Sequence, residues 1–533
     1  MPQALISPDD VKRRLRAGEE LALIDLREES FYAAGHPLFA VNLPLGRIEE
    51  RIAALIPRRD APIVLYDTGD GRVGRALPVL ERLGYRTLSV LDGGLEGWRR
   101  SGGEIFIDVN VPSKAFGELV EHVRGTPSLP ARELHDRLAR GDDLVVLDAR
   151  RFSEYTTMSI PGGRSVPGAE LALRVRDIAP SSATTVVVNC AGRTRSIIGA
   201  QSLVNAGIPN PVFALRNGTI GWTLEGLALD HGATRRAGPV SAAAHEAARR
   251  AAAGLAERTG VRLLDAAGLA ALQRDDRRTL YRLDVRSPEE YVAGHLAGFR
   301  SAPGGQLVQA TDEWIGVRHG TIVLADDDGV RARMTAHWLR QLGWNEVYVL
   351  AQWGELPVEL GPEPVRLAAL PPSVETISPQ ALAEAAPRPV IIDLAPSPAF
   401  RKGHVPGAVF AIRADLEGHP ELVAAGDIVL TSTDGLSARL AAPDLAVGGA
   451  RVRVLDGGTA GWRAAGFDLE TGLDEQAALS APDDVYKRPY EGTDNAAAAM
   501  QAYLDWEFGL VEQLGRDGTH GFRVLEASVT DPV

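Results

Sequence analysis

The sequence predicts an α/β protein of four tandem units, each a parallel sheet flanked by helices, with a C-terminal helical tail. Three observations predict it. The 533-residue length suits three to four domains of roughly 150 residues each. Three landmarks recur in register four times. Short β-branched runs alternate with segments of helical spacing, the signature of strands buried on both faces by crossover helices.

The first landmark is an apolar run ending in Asp: LALIDLR at Asp25, LVVLDAR at Asp148, LYRLDVR at Asp284 and VIIDLA at Asp393. The second is another apolar run, PIVLYD, TVVVNC, TIVLAD and DIVLTS, ending at Asp67, Cys190, Asp326 and Ser432, which lie 42, 42, 42 and 39 positions after the Asp. The third is LDGGLEGW to Trp98, LRNGTIGW to Trp222 and LDGGTAGW to Trp462, with LAQWGELP placing Pro357 in the third unit. After the second run, segments such as GRALPVLERLGY and IIGAQSLVNAGI read as helices closed by Gly. The expected units are 1–110, 111–237, 238–370 and 371–475, with a tail at 476–533. The alanine-rich stretch Pro239 to Gly260 is expected to be a helix bridging units two and three. In the tail, the stretch 495–515 reads as a helix packed back on the body.

Composition narrows the function. With 70 acidic against 57 basic side chains and a net charge of −13, no basic face for nucleic acid is expected. No apolar stretch approaches the ~20 residues that span a bilayer. The opening MPQALISPDDVKRRLRAGEE lacks a secretory layout, so a cytoplasmic protein is expected. No phosphate loop, dinucleotide fingerprint or metal-ligand spacing stands out, and no cofactor is implied.

The one cysteine, Cys190, cannot form an intramolecular disulfide. It sits where a strand should end, in VVVN-C-AGRTR-SIIGAQSLV, with a helix expected near Ser196 and Ser196 as its N-cap. Such a loop aims backbone amides inward as an anion nest, and the helix dipole adds to it. With Arg193 and Arg195 nearby and Gly192 free in conformation, a reactive low-pKa thiolate is expected. Asp67, Asp326 and Ser432 replace the cysteine elsewhere, so those units read as inactive copies. The bland alternative is a buried packing cysteine.

The repeat, and CAGRTRS above all, resembles the rhodanese (sulfurtransferase) family, whose marks are an early Asp-x-Arg, a loop opening with Cys and a later Asp-Gly-Gly-x-x-x-Trp. The resemblance covers nearly all of residues 1 to 475 and implies four tandem rhodanese-like domains. It implies that Cys190 takes the outer sulfur of a donor such as thiosulfate as a persulfide and hands it to a thiophilic acceptor, cyanide or a thiol. It further implies that amides of Ala191, Gly192, Arg193, Thr194 and Arg195, with Ser196 beside them, cradle the sulfur, while Arg193 and Arg195 hold the anionic donor. A protein acceptor is a further partner class. Thiol phosphatases place an Arg six positions after the Cys; here that residue is Ser196, which disfavours a phosphate-sized cradle. The alternative from another class is a carrier without turnover, a redox sensor or a scaffold.

Asp148 and Arg150 read as a structural pair that shapes the pocket, since Asp25/Arg27 and Asp284/Arg286 repeat it without a cysteine. Glu154 and Tyr155 could line the rim. Met158 and Ser159 replace the Gly-His of GHLAG and GHVPG, which suggests a more apolar entrance. Trp222 reads as core, and His36, His295 and His404 are too scattered to be metal ligands.

Overall fold

The computed structural model describes residues 4–424, 426–446, 450–488, 491 and 495–526. Among these, four five-stranded sheets share one strand order, first-fifth-fourth-second-third within each unit, with all neighbours parallel. In the second unit the strands are Ser128–Leu129, Leu144–Asp148, Arg164–Ser165, Thr185–Asn189 and Val212–Leu215. The fourth strand, Thr185–Asn189, is central and buried at every position, as its valine run demands. The third unit adds a two-stranded antiparallel pair, His295–Leu296 with Val358–Glu359.

The repeat spacing is a strand register. Asp25 pairs with Tyr66, Asp148 with Asn189, Asp284 with Ala325 and Asp393 with Thr431. In every unit the next residue, Asp67, Cys190, Asp326 or Ser432, therefore leaves the carboxyl end of the central strand, where ligands bind in open α/β sheets.

The units pack on one another. One continuous core joins Ile52 and Leu55 of the first unit, Ile197 of the second, Leu307 and Trp338 of the third, and Phe410 of the fourth. The Ala242–Arg258 helix, capped by Ser241, buries Ala248, Ala252 and Leu255 between helices of units two and three, as its sequence suggested. A helix at Val111–Arg124 lies against the Thr194–Asn205 helix of the second unit. The tail packs back on the body as two helices, Ala496–Phe508 and Leu510–Asp517, meeting at Gly509 where one run was expected. Leu510, Leu514 and Phe522 of the tail enter the shared core. Among the described residues no helix is long and apolar enough to cross a membrane.

Candidate active site

Cys190 directly follows the central strand, and the following helix begins at Thr194, two residues before the expected start. Ser196 is thus inside the first turn and is not the N-cap. Its hydroxyl donates to the Arg193 carbonyl at 2.7 Å, and the Cys190 thiol donates to the Ser196 Oγ at 3.4 Å. The Ser196 amide also faces the sulfur. Outside the loop, the Thr219 and Ile220 amides donate to the carbonyls of Cys190 and Ala191, each at 2.9 Å. This close approach requires Gly218, whose φ is +53° and where a Cβ would stand 2.4 Å from the Cys190 carbonyl oxygen.

The sister loops show what this cradle holds. In the first unit the Asp67 carboxylate accepts the Gly69 and Val73 amides at 2.8 and 3.0 Å. In the third, Asp326 accepts those of Gly329 and Ala332 at 3.1 and 2.8 Å. Val73 and Ala332 stand six positions after the Asp, where Ser196 stands after Cys190. In these two units the carboxylate accepts amides of its own loop, whereas in the second the thiol meets the hydroxyl and amide of Ser196.

Burial dominates the electrostatics of the sulfur. Cys190 is 2% exposed, and desolvation raises its pKa although Arg195 and the two Ser196 hydrogen bonds favour the thiolate; Glu507 adds to the rise. The expectation of a low-pKa thiolate is corrected here, because desolvation outweighs the charges that the sequence displayed. The third unit shows the same balance: burial and Asp328 push Asp326 up despite its two amide donors.

The two arginines part company. Arg195 makes a bidentate pair with Glu154 at 2.7 and 2.9 Å, and its charge still reaches Cys190. Burial opposes the Glu154 charge, but Arg195, with help from Arg150, holds its carboxyl down to about 2. Arg193 is 4% exposed and bound to Glu118 at 2.7 and 2.8 Å, to Glu121 and to Asn217, with Phe508 stacked 4.0 Å from its guanidinium. Four of its five N–H groups are engaged by these partners, so its guanidinium mainly ties the loop to the Val111–Arg124 helix, and Phe508 stacks it against the tail.

A cavity of about 400 Å³ opens on Cys190, Ala191, Gly192, Arg193, Thr194 and Arg195. Its other walls come from Glu29, Lys114, Ile220, Gln309 and the tail residues Tyr486, Arg488, Glu491, Tyr503 and Glu507. Such a mouth is charged where a more apolar one was expected. Met158 does not line it; its carbonyl accepts from Arg150, as Gly35 and Gly294 accept from Arg27 and Arg286. Glu154 and Tyr155 do not form the rim either, since Glu154 serves Arg195 and the Tyr155 hydroxyl donates to Gly163.

Asp148 and Arg150 form a buried bidentate pair at 2.9 and 2.7 Å, and Asn189 donates to Asp148 at 3.0 Å. The pair recurs at Asp25/Arg27 and Asp284/Arg286. His36, His295 and His404 stack on Tyr32, Tyr291 and Phe400, and each of Trp98, Trp222 and Trp462 is buried and donates to a carbonyl six residues on. Lys114, Tyr503 and Glu507, which line the cavity, and Glu118, which holds Arg193, are residues that sequence reasoning missed. They lie ahead of the second unit's first landmark or in the tail, where no periodic landmark marks them.

The model of the rhodanese-like domain matches residues 7–101, 130–225, 265–352 and 378–465. A thiosulfate sulfurtransferase of Pseudomonas aeruginosa is 32% identical over 185 residues, which cover 31% of this chain and 67% of that protein. One from Azotobacter vinelandii is 28% identical over 214 residues, covering 36% and 77%. A crystal structure of a thiosulfate sulfurtransferase from Pseudomonas aeruginosa superposes with a TM-score of 0.95 at 54% identity, covering 98% of this chain and 100% of that one.

Proposed function

The chain belongs to the rhodanese-like family, and from that premise we propose that this sulfurtransferase moves sulfane sulfur from thiosulfate to a thiophilic acceptor through a persulfide on Cys190. One observation carries the reading: the position whose Asp side chain accepts the amide six residues on in units one and three carries in unit two a thiol that meets the amide and hydroxyl of Ser196 at that same place.

In the first step the Cys190 thiolate attacks the outer sulfur of thiosulfate. A new S–S bond forms on Cys190, the donor S–S bond breaks, and sulfite leaves with its electron pair. The persulfide anion then lies in the nest, where the amides of the loop and the helix N-terminus offset its charge and Arg195 adds a positive charge fixed by Glu154. In the second step the acceptor attacks the outer sulfur and Cys190 departs as thiolate. Asp148 and Arg150 support the strand end from behind the loop. The segment 111–237 carries the chemistry, and the units at 1–110, 238–370 and 371–475 act as scaffold.

Steady-state formation of thiocyanate from thiosulfate and cyanide tests this reading. Wild type is expected to turn over with ping-pong kinetics and Cys190→Ser to be inactive. Turnover by Cys190→Ser would refute it. Sulfur loading without any thiocyanate would identify a carrier instead.

A further inference from the structure

Glu507 stands over the sulfur loop from outside the repeat. It is carried by the Ala496–Phe508 tail helix, is 2% exposed, and lines the Cys190 cavity. A Cβ on Gly192 would lie 3.3 Å from its Oε2, so the carboxyl rests on the glycine of the loop. Oε1 is 3.4 Å from the Tyr503 hydroxyl, while Oε2 has no hydrogen-bond partner among the described residues. A buried, unpartnered carboxyl oxygen aimed into a cavity is costly unless it serves a ligand.

The neighbouring cations do not bind it. Lys114 is paired with Asp108 at 2.9 Å, and Arg193 is taken by Glu118 and Glu121. The other charged or titratable groups around the cavity are Cys190, Arg195, Glu29, Tyr486, Arg488, Glu491 and Tyr503. Burial pushes Glu507 up to about 8, with Lys114 pulling down, Glu118 pushing up, Arg193 pulling down and Asp108 pushing up. The form able to take a proton is therefore the minor one at neutral pH and grows as pH rises toward about 8. The cavity, at about 400 Å³, is the size of a small-molecule site and far exceeds what cyanide needs.

We propose that Glu507 is the proton acceptor for the second half-reaction when a thiol is the sulfur acceptor. The inference rests on the Cys190 persulfide reading above. An incoming thiol gives its proton to Glu507 Oε2, and its sulfur attacks the outer sulfur of the Cys190 persulfide. The new S–S bond forms on the acceptor as the Cys190 S–S bond breaks, leaving its electron pair on Cys190 Sγ. Glu507 then releases the proton to the product persulfide or to solvent. No outside oxidant or reductant is consumed. Cyanide ion brings no proton and does not need Glu507.

The test uses the full chain, loaded from thiosulfate and followed by intact mass, in wild type and Glu507→Gln. Each is discharged by cyanide, by glutathione and by 2-mercaptoethanol. The thiol-to-cyanide ratio of discharge rates is expected to fall about 100-fold in the variant, the usual scale for losing a general base. A fall of less than ten-fold with both thiols overturns the role of Glu507. Failure of the wild type to load overturns the persulfide reading instead, before any acceptor is added. If Glu507→Gln does not fold, wild type decides: thiol discharge slows in heavy water and cyanide discharge does not, and equal behaviour of the two overturns the proposal.

Discussion

Gly218→Ala tests whether the cradle depends on the backbone behind it. A Cβ there would stand 2.4 Å from the Cys190 carbonyl oxygen and 2.7 Å from that of Gly192. Ordinary contact begins near 3.4 Å, so Cys190 and its loop must retreat by about 1 Å, a displacement that can cost about 100-fold in rate. The left-handed backbone at φ +53° adds roughly 1–2 kcal/mol of strain. Gly458 is the matched control: its φ is +59° and its Cβ would meet the Ser432 carbonyl at 2.1 Å, in a unit without a cysteine. Both variants should lose comparable thermal stability, but only Gly218→Ala should lose about 100-fold in thiocyanate formation. Wild-type kcat in Gly218→Ala, or an equal loss in Gly458→Ala, would refute the reasoning.

Further expectations concern charge. Because burial raises the Cys190 pKa, the thiolate is the minor form at neutral pH, and the stopped-flow rate of loading by thiosulfate should rise with pH up to the thiol pKa. A rate already flat from pH 6 upward would contradict this. Arg195→Gln removes the nearest charge favouring the thiolate and should slow loading at pH 7 about ten-fold, with the pH profile displaced upward; an undisplaced profile would sink that role. Glu154, held at about 2 by Arg195 against the desolvation of burial, has a depressed folded pKa. Its stabilising effect is present above about 4.5 and lost as pH falls toward about 2, so the stability gap between wild type and Glu154→Gln in urea titrations should narrow over that window.

The fourfold architecture was legible because a strand register is written into sequence as a spacing. Asp148 pairs with Asn189, so the residue 42 positions on must leave the sheet at its functional end. The place of Cys190 just past the central strand was legible for the same reason, but Ser196 enters as a first-turn residue meeting the sulfur and not as the N-cap its sequence suggested. What the arginines do was not legible. Arg193 finds Glu118 75 residues away and Arg195 finds Glu154 41 residues away, and no local pattern announces either pair. Sequence displays charges but not desolvation, so the rise of the Cys190 pKa was hidden. Glu507 reaches the loop from a tail helix whose own sequence spoke only of packing, and Lys114 and Glu118 lie on a helix outside the repeat landmarks.

The most direct measurement is the intact mass of the protein after mixing with thiosulfate, for wild type and Cys190→Ser. The account predicts a gain of one sulfur, about 32 Da, on wild type alone, removed by cyanide. An unchanged wild-type mass, or the same gain on Cys190→Ser, would contradict it.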